Sequence, residues 1–558
     1  MPKATADTLS AAVSGSLLME HAQEFTKRVK LSGTPEELES FRYLQQRMAD
    51  FGYRVALLSH DAYISLPGRS RIEIDGQTLD SITHSYSRPS PSAGLTGELV
   101  YLGQGKEADF NGKDLRHKIV LVEGIASPAV AALASAAGAA GQVHISPNEN
   151  RYEMCVSPVW GSPSQEHLDR IPKTVVCTIS NPDGEKLKDR LKTGPAHATL
   201  HAEVDTGWRK TPLLVADLDP PGGHKDTPFV LFSGHHDTWY YGVMDNGTAN
   251  ATMLEAARIL AEHRSEWKRG LRVCFWSGHS HGRYSGSAWY VDENWNELER
   301  RCAAHVNVDS TGGIGANELT ASSVTSELAA LAVQAVLAES GQKHAGKRSS
   351  RSSDASFWGV GIPSMFGSVS HQSAEPGKMR NALGWWWHTP HDLIDKIDQG
   401  NLVRDTRIVV RALWSLVADP VLPLDYAAHA RALLAELDKI GGPIDLSDLR
   451  TEATILRDRA AALTDTPDPE QTDRALLRVS RALVPMDYTE GDRFVHDAAL
   501  PQPPWPVLQP LRDLAAAGND PERSLFLAVS ARRARNRMLY ALRQANAALA
   551  EASTIRRA

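Results

Sequence analysis

Phe229-Val230-Leu231-Phe232-Ser233-Gly234-His235-His236-Asp237 decides the fold class: an uncharged, mostly apolar run, then a glycine, then three side chains able to do chemistry. A short apolar run closed by a turn signal reads as a fully buried strand. A loop follows with Met244-Asp245-Asn246-Gly247, and Asn250 to His263 predicts a helix with Met253, Leu254, Ala257 and Leu260 facing inward. Leu271–Trp276 is the next strand and His305–Asp309 the one after. Strands alternating with helices predict an α/β fold with a mixed, largely parallel sheet flanked by helices. In such sheets chemistry sits beyond the carboxyl ends of the strands.

On the N-terminal side the opening segment reads as one helix running towards Lys30. In Ser32-Gly33-Thr34-Pro35-Glu36-Glu37 a second begins, with Thr34 as cap, Pro35 in the first turn and Glu37 completing a capping pattern. From about Ile64 to Val204 the texture changes to short β-like runs, including Gly97–Leu102 and Lys118–Val122. The Ala/Gly-rich stretch Ala129–Gly141 predicts a small-residue helix packed closely on a sheet. After Pro423 the chain is Ala/Leu/Arg-rich and helical in pattern, interrupted by the proline-rich loop Pro501–Pro510.

At 558 residues the chain exceeds a single ordinary core. Its net charge of −7 is spread along the length, and no basic block interleaved with aromatics argues for nucleic acid. No run approaches the ~18 apolar residues of a membrane span, and Met1–Leu18 does not read as a secretory signal. Cys155, Cys177, Cys274 and Cys302 form no CxxC pair, which fits buried thiols in a reducing cytoplasm.

Five His/Asp clusters fall where strands or loops should end: His235-His236-Asp237, Asp245, His279-Ser280-His281, Asp309, and His388-Thr389-Pro390-His391-Asp392. Imidazole and carboxylate together suit a divalent transition metal, zinc above all, with Mn, Fe or Co as alternatives. The pattern Ser-Gly-His235-x-Asp237-Thr-Trp, then Asp245, Asp309-Ser310 and His388-Thr-x-x-Asp392 resembles the zinc aminopeptidase and glutamate carboxypeptidase family. The resemblance implies one or two metal ions in a hydrolytic site. His235, Asp245 and Asp309 would hold one ion, Asp245 would bridge to a second bound by His388, and Asp237 would orient His235. It also implies a catalytic domain from 1–63 and 205–423, an inserted β-rich protease-associated domain at 64–204, and a C-terminal helical domain at 424–558 that pairs two protomers.

One position departs from the family. Where relatives carry Glu-Glu, a general base followed by a ligand, this chain reads Ser277-Gly278-His279-Ser280-His281-Gly282-Arg283-Tyr284-Ser285-Gly286-Ser287, without a carboxylate. Counting back from Gly286-Ser287 puts His281 at the ligand position; counting forward from Ser277-Gly278 puts His279 at the base. The loop therefore carries one extra residue. His281 is expected to bind metal and His279 to shuttle protons. Replacing a carboxylate by imidazole makes the site one unit more positive, which favours ionisation of bound water.

The expected function is metal-dependent hydrolysis of an amide bond in a peptide or small molecule. The alternatives are a non-catalytic homodimeric scaffold and an enzyme with altered metal chemistry. Glutamate-specific relatives use a Lys-Tyr pair where this chain has Pro501–Pro506, so terminal glutamate is not the expected specificity element. Trp387, Arg283 and Arg351 are candidate substrate contacts.

Overall fold

The computed structural model describes residues 4–373, 382–464, 468–518 and 520–554. Its strands are β1 Arg54–Ile74, β2 Gln77–Asp80, β3 Ile82–Thr83, β4 Leu95–Tyr101, β5 Ile119–Glu123, β6 Gly141–Ile145, β7 Val175–Ile179, β8 His197–Leu218, β9 Phe229–His235, β10 Gly270–Trp276, β11 Cys302–Asp309, β12 Ser323–Val324 and β13 Ser364–Ser368. They run in the order β12-β13-β11-β9-β10-β8-β4-β5-β6-β7-β3, with β1 laid along β8 and β2 paired to β1. The sheet is parallel from β13 through β11 and β9 to β10, and again from β4 to β7. It is antiparallel at β8 and at the short edge strands.

Strand β9 is buried along its whole length because both its faces are covered. Val230 and Phe232 point into a large core with Met253, Leu254 and Leu413, whereas Leu231 joins Trp276, Tyr290 and Phe357 on the other face. That double coverage is why the sequence shows an unbroken apolar run instead of alternation. Each such side chain contributes about 1.5–3 kcal/mol of transfer free energy.

β1 and β8 form a long antiparallel ribbon from Arg54↔Asp217 to Ile74↔Ala198. The points where sequence texture changes lie close together across it, Ile64 facing Gly207 and Val204 facing Pro67. Beyond them β4–β7 enclose a separate core of Ile119, Leu121, Val143, Ile145, Val175 and Leu200, onto which the helix Pro128–Ala136 leads through a tight turn. The tail forms helices Tyr426–Asp438, Ser447–Ala461, Pro469–Tyr488, Gln509–Ala515 and Pro521–Thr554. Their apolar faces, with Leu456, Val479, Leu483, Trp505 and Leu542, are continuous with the main core.

Thr34 caps the helix Pro35–Asp50, accepting from the Glu37 N–H as the sequence predicts. The opening segment differs: it is two helices, Ala6–Ala11 and Gly15–Phe25. Ser14 breaks it, because its hydroxyl accepts from the Leu17 N–H and starts the second helix. Among the described residues no helix is long and apolar enough to cross a membrane.

Candidate metal centre

The register of the parallel strands aligns the chemistry. Trp276 of β10 pairs with His235 of β9, and Asn307 of β11 with Ser233, so His235, Asp309 and the residues after Trp276 emerge along one edge. Between β9 and the helix Ala249–Glu262 the chain makes an irregular turn, Val243–Thr248, that carries Asp245 to the same edge. Asn246 fastens this turn: its amide donates to the carbonyls of His235 (3.1 Å) and Val308 (3.2 Å), and its oxygen accepts from the Ser310 N–H (2.9 Å). Asp392 fastens it from outside, accepting the N–H groups of Met244 (2.9 Å) and Asp245 (3.0 Å). Burial still pushes the Asp392 carboxyl up to about 7.

Asp245 stands between two imidazoles. One of its oxygens is 3.1 Å from His235 Nε2 and the other 3.0 Å from His388 Nε2. Asp309 Oδ1 lies 3.7 Å from His235 Nε2. Both tautomers are fixed from behind: His235 Nδ1 donates to the Asp237 carbonyl (2.8 Å) and His388 Nδ1 to the Glu153 carbonyl (2.6 Å). Each Nε2 is therefore aimed at the cluster. Asp309 is held by the hydroxyls of Ser310 (2.9 Å) and Ser353 (2.6 Å).

This donor set fits a divalent transition metal. His235 Nε2 and Asp245 Oδ1 are buried without a hydrogen-bond partner, an expensive condition unless something fills the gap. Two donors ~2.0–2.1 Å from one tetrahedral ion lie about 3.3–3.5 Å apart, and the separations at His235, 3.1 and 3.7 Å, fall on either side of that range. The charges in the cluster act strongly on one another. Burial opposes charge on every group, yet Asp245 and Asp309 hold His235 well above 6.5, and the imidazoles hold both carboxyls below their ordinary range.

The loop Ser277–Ser287 brings one of its two histidines to the cluster. His279 joins the cluster: one ring nitrogen each of His279 and His235 and a carboxylate oxygen of Asp309 all lie within 4.8 Å of one another. His279 Nδ1 donates to Asp354 Oδ2 at 2.7 Å, which turns its other nitrogen outward. The His279 and His235 rings are stacked, 3.7 Å apart and 16° from parallel. An imidazole lone pair lies in its ring plane, so two stacked rings cannot both aim at a single ion. His279 can serve a second ion or take a proton, but not share the ion of His235.

His281, expected as a ligand, lies apart from the group of His235, His279 and Asp309. It is fully buried behind the cluster, with Nδ1 3.0 Å from Ser32 Oγ and its ring 4.4 Å from that of Trp239. The physical reason is the path of the loop. Gly278 takes φ +75°, and a Cβ there would meet Ser285 Oγ at 2.1 Å, so the chain turns early and swings His281 inward. Asp237 has a wider role than expected. Its carboxylate is 3.9 Å from His235 Nδ1, whereas it accepts the N–H groups of His279 (3.1 Å) and Ser280 (2.8 Å) and the Ser32 hydroxyl (2.8 Å). Asp237 thus anchors the loop, while its backbone carbonyl orients His235.

The cluster opens into a cleft of about 820 Å³ between β9–β11 and the β4–β7 segment. Trp387, Arg283, His279 and His388 all line it, and the Trp387 indole stacks on His388 at 3.4 Å. Arg351 does not. Its guanidinium sits 4.3 Å over Trp160 and donates to the Asp497 carbonyl (2.8 Å), a packing role that removes it from the expected substrate contacts. Sequence reasoning did not assign Asn246, Ser353, Glu153 or the partnership of Asp354 with His279. Asn246 beside Asp245 was the one with a readable signal.

Residues 214–413, which contain His235, Asp245, His279, Asp309 and His388, match Peptidase family M28. A probable glutamate carboxypeptidase of Arabidopsis thaliana is 21% identical over 516 residues, covering 77% of this chain and 71% of the relative. An aminopeptidase of Bacillus subtilis is 25% identical over 371 residues, covering 63% of this chain and 74% of the relative. A maize probable glutamate carboxypeptidase matches over 49% of its own length, so the chain spans about half of that relative. Among solved structures, an aminopeptidase from Aneurinibacillus superposes with a TM-score of 0.57 at 23% identity, covering 74% of this chain and 96% of that one. A zinc aminopeptidase from Bacillus subtilis gives 0.56 at 21%, covering 73% and 96%. The chain resembles this peptidase family and shares its fold.

Proposed function

We propose that the protein is a metal-dependent hydrolase of amide bonds, acting on peptides or small acylated molecules, with His235, Asp245, Asp309 and His388 holding one or two divalent ions, zinc foremost. The observation that carries this reading is Asp245, buried and set between two imidazoles whose far nitrogens are tied to backbone carbonyls. When bound, the metal supplies Lewis-acid polarisation of the scissile carbonyl and lowers the pKa of water.

The chain's own residues do the rest. Asp237 holds the His279–Ser280 backbone against the cluster. Asp354 keeps the proton on His279 Nδ1, leaving the other nitrogen to accept a proton or to ligate the second ion. The indoles of Trp387 and Trp239 flank His388 and exclude water from that side. The cleft beside them admits an extended substrate.

The same reading takes 64–204 as a protease-associated-like domain that walls the cleft and 424–558 as a dimerisation domain. Leu525, Phe526 and Tyr540, exposed by 72%, 70% and 68%, offer an apolar face on the last helix for a second copy. Four buried free cysteines suit a reducing compartment such as the cytoplasm. One observation favours a second reading, a metal-binding scaffold without turnover: Ser277–Ser287 contains no carboxylate to act as base.

The test is metal analysis of the purified protein together with hydrolysis of a panel of aminoacyl anilides, dipeptides and N-acyl amino acids, before and after chelation. Bound metal with chelator-sensitive turnover supports the hydrolase. Bound metal with no turnover on any panel member selects the scaffold. A protein that retains no divalent metal refutes both.

A further inference from the structure

Arg283 is the feature of the cleft that the metal chemistry does not use. It lies on the same loop as His279 and lines the same cleft. Its Nε is buried without a hydrogen-bond partner, and no described residue forms an ion pair with its guanidinium. The nearest ring is Tyr284, 5.2 Å from the guanidinium carbon. Leaving donors of a permanently charged group unpaired in a half-buried place is unfavourable, so such an arrangement calls for an anion.

The position is held rather than incidental. Arg283 and Tyr284 both take left-handed backbone conformations, φ +49° and +70°, which are strained for residues with side chains. The strain is sustained from two sides. The Arg283 carbonyl accepts from the Gly161 N–H (2.6 Å), and the His281 carbonyl accepts from the Ser65 N–H (2.8 Å). Those donors come from the segment that walls the cleft.

The remaining charges decide the sign of the ligand. Of the acidic residues lining the cleft, Glu123 and Glu185 are both paired with Lys188 at 2.8 Å, while Asp245 and Asp309 belong to the metal cluster. Glu123 and Glu185 share one ammonium and keep a negative charge between them, whereas among the described lining residues Arg283 carries a formal charge with no ion-pair partner. A substrate recognised by its free α-ammonium would need an unpaired carboxylate in this place and would meet a guanidinium. We infer that Arg283 binds a carboxylate of the substrate through its planar pair of N–H donors, so that the preferred substrates are amides carrying a carboxylate near the scissile bond, such as N-acyl amino acids or peptides cleaved at their carboxyl end. The inference rests on the hydrolase reading above. The apolar walls at Trp239, Trp387, Ile125 and Met154 suit an apolar body on the same substrate.

The test reads binding, not turnover, on the zinc-loaded full-length protein. N-methylsulfonyl-phenylalanine and N-methylsulfonyl-phenylalaninol are the probes, since neither contains a carboxamide to cleave. Calorimetry is expected to show the acid binding about tenfold or more tighter than the alcohol. Arg283→Gln is expected to erase that preference, and Arg283→Lys to retain part of it, with metal content measured on each variant to show that the centre is intact. Equal affinities in the wild type, no detectable binding of the acid at millimolar concentration, or a preference that survives Arg283→Gln would each overturn the inference. A carboxylate that simply ligates zinc gives the last result. If the acid preference depends on Arg283 but no amide is hydrolysed, the hydrolase reading fails and the carboxylate site stands.

Discussion

Replacing His279 and His281 by alanine, one at a time, separates two placements of the Ser277–Ser287 loop. His279→Ala removes the ring stacked 3.7 Å from His235 and the 2.7 Å hydrogen bond to Asp354. Asp354 keeps its bond from Ser287 Oγ, so the loss in stability is that of one charge-assisted hydrogen bond, about 1.5–3 kcal/mol. Its cost to function is larger: a lost proton acceptor removes about 10²–10⁴-fold in turnover, and a lost ligand weakens the second ion as well. His281→Ala removes a fully buried ring packed on Trp239 and bonded to Ser32, outside the cleft. It is expected to cost about 2–4 kcal/mol of stability with metal content kept. The assay is metal stoichiometry and chelator-sensitive turnover, read beside a denaturant unfolding curve for each variant. A His281→Ala protein that folds but loses its metal, beside a His279→Ala protein that keeps metal and activity, would refute the placement of His279 at the centre.

Three further outcomes follow from named contacts. Asp354→Asn keeps the shape but loses the carboxylate behind His279, and is expected to lower activity or metal affinity about 10–100-fold, as measured by turnover at graded free zinc. Lys30 is fully buried, donating to the carbonyls of Phe25, Arg28 and Tyr241, and burial lowers its pKa to about 8 from 10.5. The unfolded chain then binds more protons between those values, so stability should rise with pH across that window by about 3 kcal/mol relative to Lys30→Met. Equal pH slopes in denaturant titrations of the two proteins would contradict this. Leu525→Glu with Phe526→Glu on the exposed face of the last helix is expected to convert a dimer to a monomer in sedimentation, without loss of helix content.

The sequence by itself determined the strands, the edge where chemistry gathers and most of the candidate donors. Phe229–His235 is buried on both faces, so every position had to be compatible with the interior and the signal was local and continuous. His235 and Asp309 are the last residues of their strands, and parallel register carries such residues to one edge whatever the loops do. Thr34 was readable for the same reason, since a cap is satisfied within its own turn. Only the tertiary structure decided which histidine of His279-Ser280-His281 faces the centre. The residues that settle it are distant in the chain: Asp237 receives the loop's N–H groups, Ser65 and Gly161 hold it from the wall of the cleft, and Asp354 receives His279. Spacing along a sequence fixes direction within a strand, where side chains alternate by rule. In a loop that turns at Gly278 and again at Arg283-Tyr284, the backbone angles are set by long-range contacts, and spacing alone does not say which side chain points inward.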